Sequence, residues 1–392
     1  MSSVLLFQSH VDDVLASFTR KLNTEFVNKG EVMGEVIDFS QWATFLVADM
    51  IGKVTCGQPL GYIDRGCDFD GVLEANDKLM LYFSVVGMNP VLDKFLDKNT
   101  VYPIGVSSFR NFTRVALQLI ERYKGEDKRD PLRPDFMDRF IESKVACPDV
   151  IDDVQILSYI AGQYVAGVDS TAAALRSIFY LSLKNPSVWG RLQAEILAAP
   201  FAQEDSMNLP APFAEARAIP YLEAVIREAV RLYPGSCFPI ERYVPAGGLT
   251  LPDGSFVPEG VAVGFNAYIV NRNKEIFGLD ADVFRPERWL RDDENGEAEE
   301  DYKLRLTKMN NYDLSFSAGS RKCIGMNLGL MLLYKTAATL VALYEFELAD
   351  PGKEWEIRSF VFPKQSGINV RMRQRGEMTI RKELGMPKPT GY

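Results

Sequence analysis

The chain has 392 residues, 47% of them apolar and 25% charged, with a formal net charge of −9 at pH 7. This composition is typical of a soluble globular protein and argues against a disordered or collagen-like chain. The acidic balance also disfavours a nucleic-acid-binding protein, which usually presents a basic face.

Helical periodicity dominates the first 125 residues, where apolar side chains recur every three or four positions. Amphipathic helices are predicted at residues 11–26, 40–56 and 107–123, and a polar, proline-containing connection is predicted at residues 124–135.

A long helix is predicted from about residue 151 to residue 183, ended by Asn185-Pro186. Residues 154–168 carry no charge on any face. Because a helix that is apolar all round is buried, we expect this one to cross the middle of the molecule. Shorter helices are predicted at residues 187–197 and 221–232.

The pattern changes between residues 238 and 265, where proline and glycine separate short β-prone pieces and Asp253-Gly254 predicts a hairpin turn. A last long helix at about residues 324–344 precedes β-prone segments at 345–348 and 368–372. The predicted fold class is therefore mostly α with a small β-rich part, interleaved too closely for a division into domains.

Residues 291–303 carry seven acidic side chains against two basic ones, and we interpret them as a solvated surface loop. No uncharged apolar run reaches the roughly 18 residues that span a bilayer. The charged first 30 residues do not form a signal peptide. As it stands, the chain is predicted to be soluble or peripheral.

Metal donors are few, since His10 is the only histidine and lies near a terminus that we expect to fray. This excludes His-rich zinc sites and a convincing His-ligated haem. An odd number of cysteines without CxxC spacing or a secretory signal favours reduced thiols in an intracellular compartment. They are Cys56, Cys67, Cys147, Cys237 and Cys323.

The strongest chemical signal is the segment from Phe316 to Gly325, an F-x-x-G-x-R-x-C-x-G pattern directly before an apolar helix. A cysteine at a helix N-terminus has its thiolate form favoured, and thiolates bind metals. Gly319 permits a tight turn and Gly325 leaves room for a flat ligand. Arg321 offers a planar donor for a carboxylate, and Phe316 can keep water from the sulfur of Cys323. The alternative is a small buried cysteine without a ligand.

At these residues the sequence resembles the cytochrome P-450 family, the haem-thiolate monooxygenases. The resemblance implies haem b (iron protoporphyrin IX) with the Cys323 thiolate as its axial ligand. Glu228-Ala-Val-Arg231 is similar to the family's E-x-x-R, and Pro286-Glu287-Arg288 is similar to its P-E-R segment. The resemblance implies that Arg288 joins the first pair in a buried network. Arg242 stands where the family often contacts a haem propionate.

Residues 166–171, Ala-Gly-Val-Asp-Ser-Thr, resemble the family's oxygen-binding segment. The resemblance implies that Asp169 relays protons and that Ser170 holds a hydroxyl beside bound oxygen, with Thr171 able to share the task. The alternative is a helix N-cap at Asp-Ser-Thr.

Similarity over residues 150–375 to fungal pisatin-demethylase-like and benzoate-hydroxylase-like enzymes implies a mid-sized apolar substrate, O2 and an NADPH-dependent reductase as partners. Lys322 and Lys335 are candidate reductase contacts. Asn271 stands where that group often has histidine. A haem-thiolate enzyme that rearranges or dehydrates without oxygen is a further alternative.

Family members normally begin with a membrane anchor for the endoplasmic reticulum, strands of the larger sheet and helices A to C, and none is recognisable in this chain. The W-x-x-x-R of helix C also has no counterpart, because Trp42 and Trp189 both lack the arginine. We expect an N-terminally truncated cytochrome P-450 fold, one domain over residues 1–392. A haem-deficient, non-catalytic fragment is the alternative that this leaves open.

Overall fold

The computed structural model describes residues 2–27, 32–99, 113–114, 116–117, 119–121, 132–203 and 210–375. Most of the helix predicted at 107–123 and of the connection at 124–135 lies outside these residues. Within them, helices dominate and the strands form small sheets. This confirms the predicted class, mostly α with a small β-rich part.

The first helices form before residue 150. The described ones are α1 (Ser2–Leu5), α2 (Gln8–Glu25), α3 (Phe39–Cys56), α4 (Tyr62–Arg65), α5 (Val72–Met88), α6 (Pro90–Phe95) and α7 (Phe136–Ala146). Helix α3 shows why its bounds fall where they do. The Asp38 carboxylate accepts the Ser40 N–H at 2.9 Å, and Gly57 ends the helix at φ +71°.

The long central helix, α8, spans Asp153–Lys184, within two residues of the predicted bounds. The Asp152 carboxylate caps its N-terminus. The expectation that residues 154–168 are buried all round was wrong. Val154 is 65% and Tyr159 42% exposed, and Gly162 and Ala166 are exposed on the same side. Residues 171–180 are all buried, because α3 and other helices pack around that half of α8.

The remaining helices confirm the predictions at 187–197, 221–232 and 324–344 to within two residues. They are α9 (Pro186–Leu197), α10 (Pro200–Gln203), α11 (Phe213–Arg217), α12 (Pro220–Leu232), α13 (Ala267–Val270), α14 (Lys274–Phe277), α15 (Glu299–Tyr312) and α16 (Met326–Leu343), with 3-10 turns at Pro286–Trp289 and Gly319–Arg321.

The acidic stretch 291–303 was only partly a loop. Its last five residues begin α15. Three acidic side chains occupy the first turn of this helix, where they interact favourably with the helix dipole. Glu297 pairs with Arg305 at 2.7 Å. The carbonyl of Leu290 also accepts from Arg305, so the acidic segment is held against the rest of the chain.

The strands are β1 (Ile37–Asp38), β2 (Ile240–Tyr243), β3 (Leu249–Thr250), β4 (Phe256–Val257), β5 (Ala262–Phe265), β6 (Tyr344–Leu348), β7 (Glu356–Ser359), β8 (Pro363–Ser366) and β9 (Asn369–Gln374). They pair antiparallel as β1-β9-β6, β2-β5, β3-β4 and β7-β8. The predicted hairpin is β3-β4, and Gly254 takes φ +87° at its turn.

The core lies where α3, α8, α12 and α16 meet, around side chains such as Leu46, Ile178 and Leu340. By length and composition α16 would pass as a membrane span, but 78% of it is buried inside this molecule. His10 was expected in a fraying end. It is instead 4% exposed on α2, with Nε2 3.2 Å from the carbonyl of Arg133.

Candidate functional site

A loop closed by its own backbone presents the cysteine. The Cys323 N–H donates to the carbonyl of Phe316 at 2.9 Å. Between them Ser317 and Gly319 take φ of +60° and +70°, a region that favours glycine and is costly for serine. The Cys323 thiol is free and exposed, so this loop offers its sulfur outward. The tight turn predicted at Gly319 is confirmed.

The surface beside the sulfur is exposed. Gly325 has φ −80°, so its backbone does not require glycine, but a Cβ there would lie 3.9 Å from Cys323 Sγ. Ile324 is fully exposed next to it. A Cβ on Gly162, on the exposed side of α8, would meet nothing within 4 Å. An outward thiol with apolar, uncrowded surroundings fits a flat porphyrin.

The other predicted haem-binding side chains lie around this loop and on the small sheet. Arg321 ends the 3-10 turn Gly319–Arg321 and is exposed, as is Lys322. Phe316 is half-buried against the core. Arg242 lies on β2, exposed, and its guanidinium donates to the carbonyl of Glu241. Both arginines are therefore accessible to a carboxylate.

One of the two lysines considered as reductase contacts is not at the surface. Lys335 is fully buried in α16, and its ammonium pairs with Asp12 of α2 at 2.7 Å and donates to the carbonyl of Ala211 at 2.6 Å. The expectation of a reductase contact at Lys335 was wrong. A lysine in an apolar helix can be core when another helix brings it a carboxylate.

The Glu228–Arg231 pair was expected in a buried network with Arg288, and it is buried. Glu228 accepts from Arg231 Nε at 2.8 Å, Arg288 Nε at 2.7 Å and Trp289 Nε1 at 2.9 Å. Glu228 and Arg231 are completely buried, and the Arg288 side chain is 1% exposed. Ionised donors and acceptors in such surroundings fix geometry strongly.

Asn271 connects this network to the segment that precedes the cysteine loop. Its amide oxygen accepts the Leu314 N–H at 2.9 Å, and its amide nitrogen lies 3.2 Å from Ser315 Oγ. Its carbonyl accepts from Arg231 Nη1 at 2.5 Å. The residue that stands in place of histidine therefore joins α12 to the chain leading to Phe316.

Asp169, Ser170 and Thr171 lie inside α8, so the N-cap alternative was wrong. Successive residues in a helix point about 100° apart, and these three meet different neighbours. Ser170 Oγ donates to the carbonyl of Ala166 at 2.6 Å, while its Cβ lies 3.0 Å from where a Cβ on Gly235 would stand.

Thr171 faces the cysteine helix. It is 8% exposed, and its Oγ1 lies 3.9 Å from the position that a Cβ on Gly329 would take. Gly329 belongs to the first turn of α16, shortly after Cys323. The helix that carries the predicted oxygen-binding segment thus packs directly on the helix that the cysteine loop introduces.

Asp169 points to a third side, toward α5 and β8. Burial raises the pKa of its carboxyl to about 6, although the nearby Arg176 and Lys364 cations and an N–H from Asn76 oppose that rise. The Asn76 Nδ2 atom donates to Asp169 Oδ2 at 2.5 Å. A carboxyl with a pKa in this range can exchange a proton near neutral pH.

Sequence reasoning missed Asn76, Asp77 and Lys364 around this carboxyl. A small cavity is lined by Asp169, Arg176, Asp77 and Lys364, and the Lys364 ammonium pairs with the Asp77 carboxylate. The pair Asn76-Asp77 lies in a mostly polar run, Glu74 to Lys78, near the start of α5, so it carried no distinct local signal. Nothing in the sequence places that pair opposite Asp169.

Comparisons with known proteins point to one family. The family model described as Cytochrome P450 matches residues 3–369. The chain is 48% identical to cytochrome P450 monooxygenase cfoH of Aspergillus candidus over 388 residues, 99% of this chain and 71% of that protein. It is 32% identical to cytochrome P450 monooxygenase cicH of Emericella nidulans over 381 residues, 97% of this chain and 73% of that protein.

Proposed function

The chain belongs to the cytochrome P450 family of monooxygenases, and on that premise we propose that it inserts one oxygen atom from O2 into a mid-sized apolar substrate. The observation that carries the proposal is the outward-facing Cys323 thiol in a closed loop, introduced directly before a helix that packs on the Asp169–Thr171 segment. Haem-thiolate chemistry needs that ligand and that neighbouring helix.

The residues of this chain fit haem b. Cys323 would supply the thiolate, and Arg321 and Arg242 would bind carboxylates at the edge of the porphyrin. Gly325 leaves the space beside the sulfur free of a side chain. When bound, the haem supplies the iron at which O2 is bound and reduced.

Proton delivery is the task of α8. Asp169 takes protons from solvent, since burial holds its pKa at about 6. Ser170 holds a hydroxyl or water on the side of α8 toward Gly235. The bond from Ser170 Oγ to the carbonyl of Ala166 fixes the serine rotamer, a role that the methyl of a threonine would otherwise share. Retention of this acid and alcohol argues against a haem-thiolate enzyme that works without oxygen.

The substrate binds along the exposed apolar side of α8, at Tyr159, Gly162 and Ala166, where apolar surface favours an apolar ligand. Its chemistry belongs to fungal secondary or aromatic metabolism, in keeping with relatives from Aspergillus and Emericella. Electrons come from an NADPH-dependent reductase at the membrane of the endoplasmic reticulum. Lys322, exposed beside the cysteine, is the candidate contact for an acidic reductase surface.

The carbon-monoxide difference spectrum of the reduced protein, expressed with ample haem precursor, tests the proposal. We expect the Soret band of a thiolate opposite carbon monoxide in the wild-type chain and its loss in Cys323→Ala. Cys147→Ala, which removes another exposed thiol, serves as the matched control and should keep the band.

An alternative is that these 392 residues hold haem poorly and do not catalyse oxygenation. The favouring observation is that every residue of β2, including Arg242, is exposed, so one side of the candidate site is thinly covered. Less than one haem per chain, or a band typical of a lost thiolate, would support this alternative and contradict the proposal.

A further inference from the structure

A buried amide sits against the acid that we assign to proton delivery. Asn76, on α5, is 2% exposed, and its Nδ2 donates to Asp169 Oδ2 at 2.5 Å. Its Oδ1 is buried without a hydrogen-bond partner among the residues described. A buried acceptor without a donor is costly, and this one lies beside a carboxyl that can supply an O–H when it is protonated.

The charged groups around Asp169 define which side faces solvent. Arg176 lies about two helical turns after Asp169 on α8. It is buried and donates to the carbonyl of Ser40 at 2.9 Å, so its side chain is fixed in place. Lys364 of β8 and Asp77 of α5 form an ion pair whose side chains are 38% and 31% exposed. Tyr164, one turn earlier in α8, is the remaining titratable neighbour whose pKa responds to the Asp169 charge.

These groups form a short path from solvent to the acid. Asp77 and Lys364 line the same small cavity as Asp169 and Arg176, and their ion pair stands at its exposed end. A proton entering here reaches the Asp169 carboxylate, which on this helix is turned away from Ser170. The acid must therefore accept a proton on one side and release it toward the other without losing its orientation.

We propose that Asn76 is a positioning residue that holds the Asp169 side chain in both of its protonation states. Its amide N–H donates to the carboxylate, and its amide oxygen accepts the O–H of the neutral acid. A primary amide carries donor and acceptor on one carbon, so a small rotation of the acid exchanges one bond for the other. One O–H bond forms on Asp169 and later breaks, with no electrons transferred.

This inference rests on the proposed function only for the role of Asp169, and its test does not need haem. The carbonyl stretch of a protonated carboxylic acid is followed by infrared difference spectroscopy as the pH is changed. The band that disappears in Asp169→Asn identifies the residue. In the wild-type chain we expect that band to titrate with a midpoint of about 6.

The decisive variant is Asn76→Leu, which keeps the size of the side chain and removes both the donor and the acceptor. Loss of the N–H to the charged form raises the pKa, and loss of the acceptor to the neutral form lowers it. Because the hydrogen bond to the ionised carboxylate is the stronger of the two, the midpoint should rise, by up to about one unit, a tenfold change in proton affinity. Loss of the acceptor should shift the carbonyl band to higher frequency. Ser84→Ala, on the same helix and with its hydroxyl bonded to the carbonyl of Leu81, should change neither.

Asn76→Ala is the second variant, used if Asn76→Leu does not give a folded chain by circular dichroism; it should raise the midpoint and shift the band in the same directions. An unchanged midpoint and band in a folded Asn76 variant would overturn the proposal, as would a wild-type Asp169 band that titrates at the usual aspartate pKa. The carbon-monoxide spectrum reports separately on the haem site, so the two proposals fail by different measurements.

Discussion

At the scale of single residues, Glu228 makes the densest set of contacts in the site region. Its two oxygens accept from Arg231, Arg288, the Trp289 indole and the Arg285 N–H, all within 3.1 Å. Glu228 is completely buried and Arg288 is almost completely buried. Because neither charge is hydrated by water, each one is stabilised by the other. This residue holds α12 to the turn Pro286–Trp289.

Glu228→Gln should lower the free energy of unfolding by about 3 kcal/mol or more, because it leaves two buried guanidinium groups without their shared anion. Urea unfolding followed by tryptophan fluorescence measures the loss. Glu223→Gln, an exposed acid on the same helix, should change stability by less than about 0.5 kcal/mol. Equal effects of the two substitutions would contradict the assigned role of Glu228.

The raised pKa of Asp169 predicts the direction in which the stability of the chain changes with pH. Its folded pKa of about 6 lies above the ordinary 3.8, so the folded state binds the extra proton, and stability falls as pH rises from about 4 to about 6. Asp169→Asn removes that penalty. It should stabilise the chain by up to about 3 kcal/mol at pH 7, the equivalent of about two pKa units.

The gain should fall to less than about 1 kcal/mol near pH 4, where the wild-type acid is protonated in the folded state and partly protonated in the unfolded state. Urea unfolding of both proteins at pH 4 and pH 7 measures it. A stabilisation that is equal at both pH values would show that the titration of Asp169 is not its cause.

At the scale of elements, α16 is anchored to α2 by an ion pair in an apolar interface. Burial lowers the pKa of Lys335 and raises that of Asp12, and in both cases desolvation outweighs the attraction of the partner. The pair is therefore weak as a source of stability. The pair instead fixes the position of α2 relative to α16, the helix that follows the cysteine loop.

Asp12→Ala should destabilise the chain by about 3 kcal/mol, because Lys335 would remain buried with only the carbonyl of Ala211 as a partner. The double variant Asp12→Leu, Lys335→Met should recover most of that loss. Asp13→Ala, which breaks a half-exposed pair with Arg133, should cost less than about 1 kcal/mol. Thermal and urea unfolding compare the three, and a double variant as unstable as Asp12→Ala would contradict the argument.

At the scale of the whole molecule, the β2-β5 ribbon exposes large aromatic side chains. Tyr243 is 75% and Phe265 74% exposed, and among the strands of the described residues these two pair only with each other. Open strand edges next to exposed aromatic side chains favour association between chains. A ligand or partner that covers the region carrying Arg242 would therefore bury exposed apolar surface.

Phe265→Lys should reduce self-association of the purified chain, because it places a charge on the ribbon next to Ile240. Light scattering coupled to size-exclusion chromatography, over a range of protein concentrations, measures the apparent mass. Leu279→Lys replaces an isolated exposed leucine, 89% exposed, and should leave the mass unchanged. If the apparent mass depends on concentration in the same way in Phe265→Lys and in the wild type, the β2-β5 ribbon is not the surface through which chains associate.

Much of the fold was readable from the sequence. Six helices were placed to within three residues at each end, since apolar periodicity and Asn185-Pro186 are local signals. The helix α15 was missed because its acidic first turn has the composition of a surface loop. Acidic side chains are also favourable in the first turn of a helix. The cysteine loop and the Glu228–Arg231 pattern were found because their characteristic residues lie within a few consecutive positions of the sequence.

The sequence by itself determined which segments become helices, which cysteine stands in a ligand-like loop and which family the chain resembles. Only the tertiary structure decided that Lys335 is core, that one side of α8 is open and that Asn76 meets Asp169, 93 residues further on. The physical reason is that periodicity shows which side chains can be buried, while the partner of a buried polar group is set by how distant helices pack.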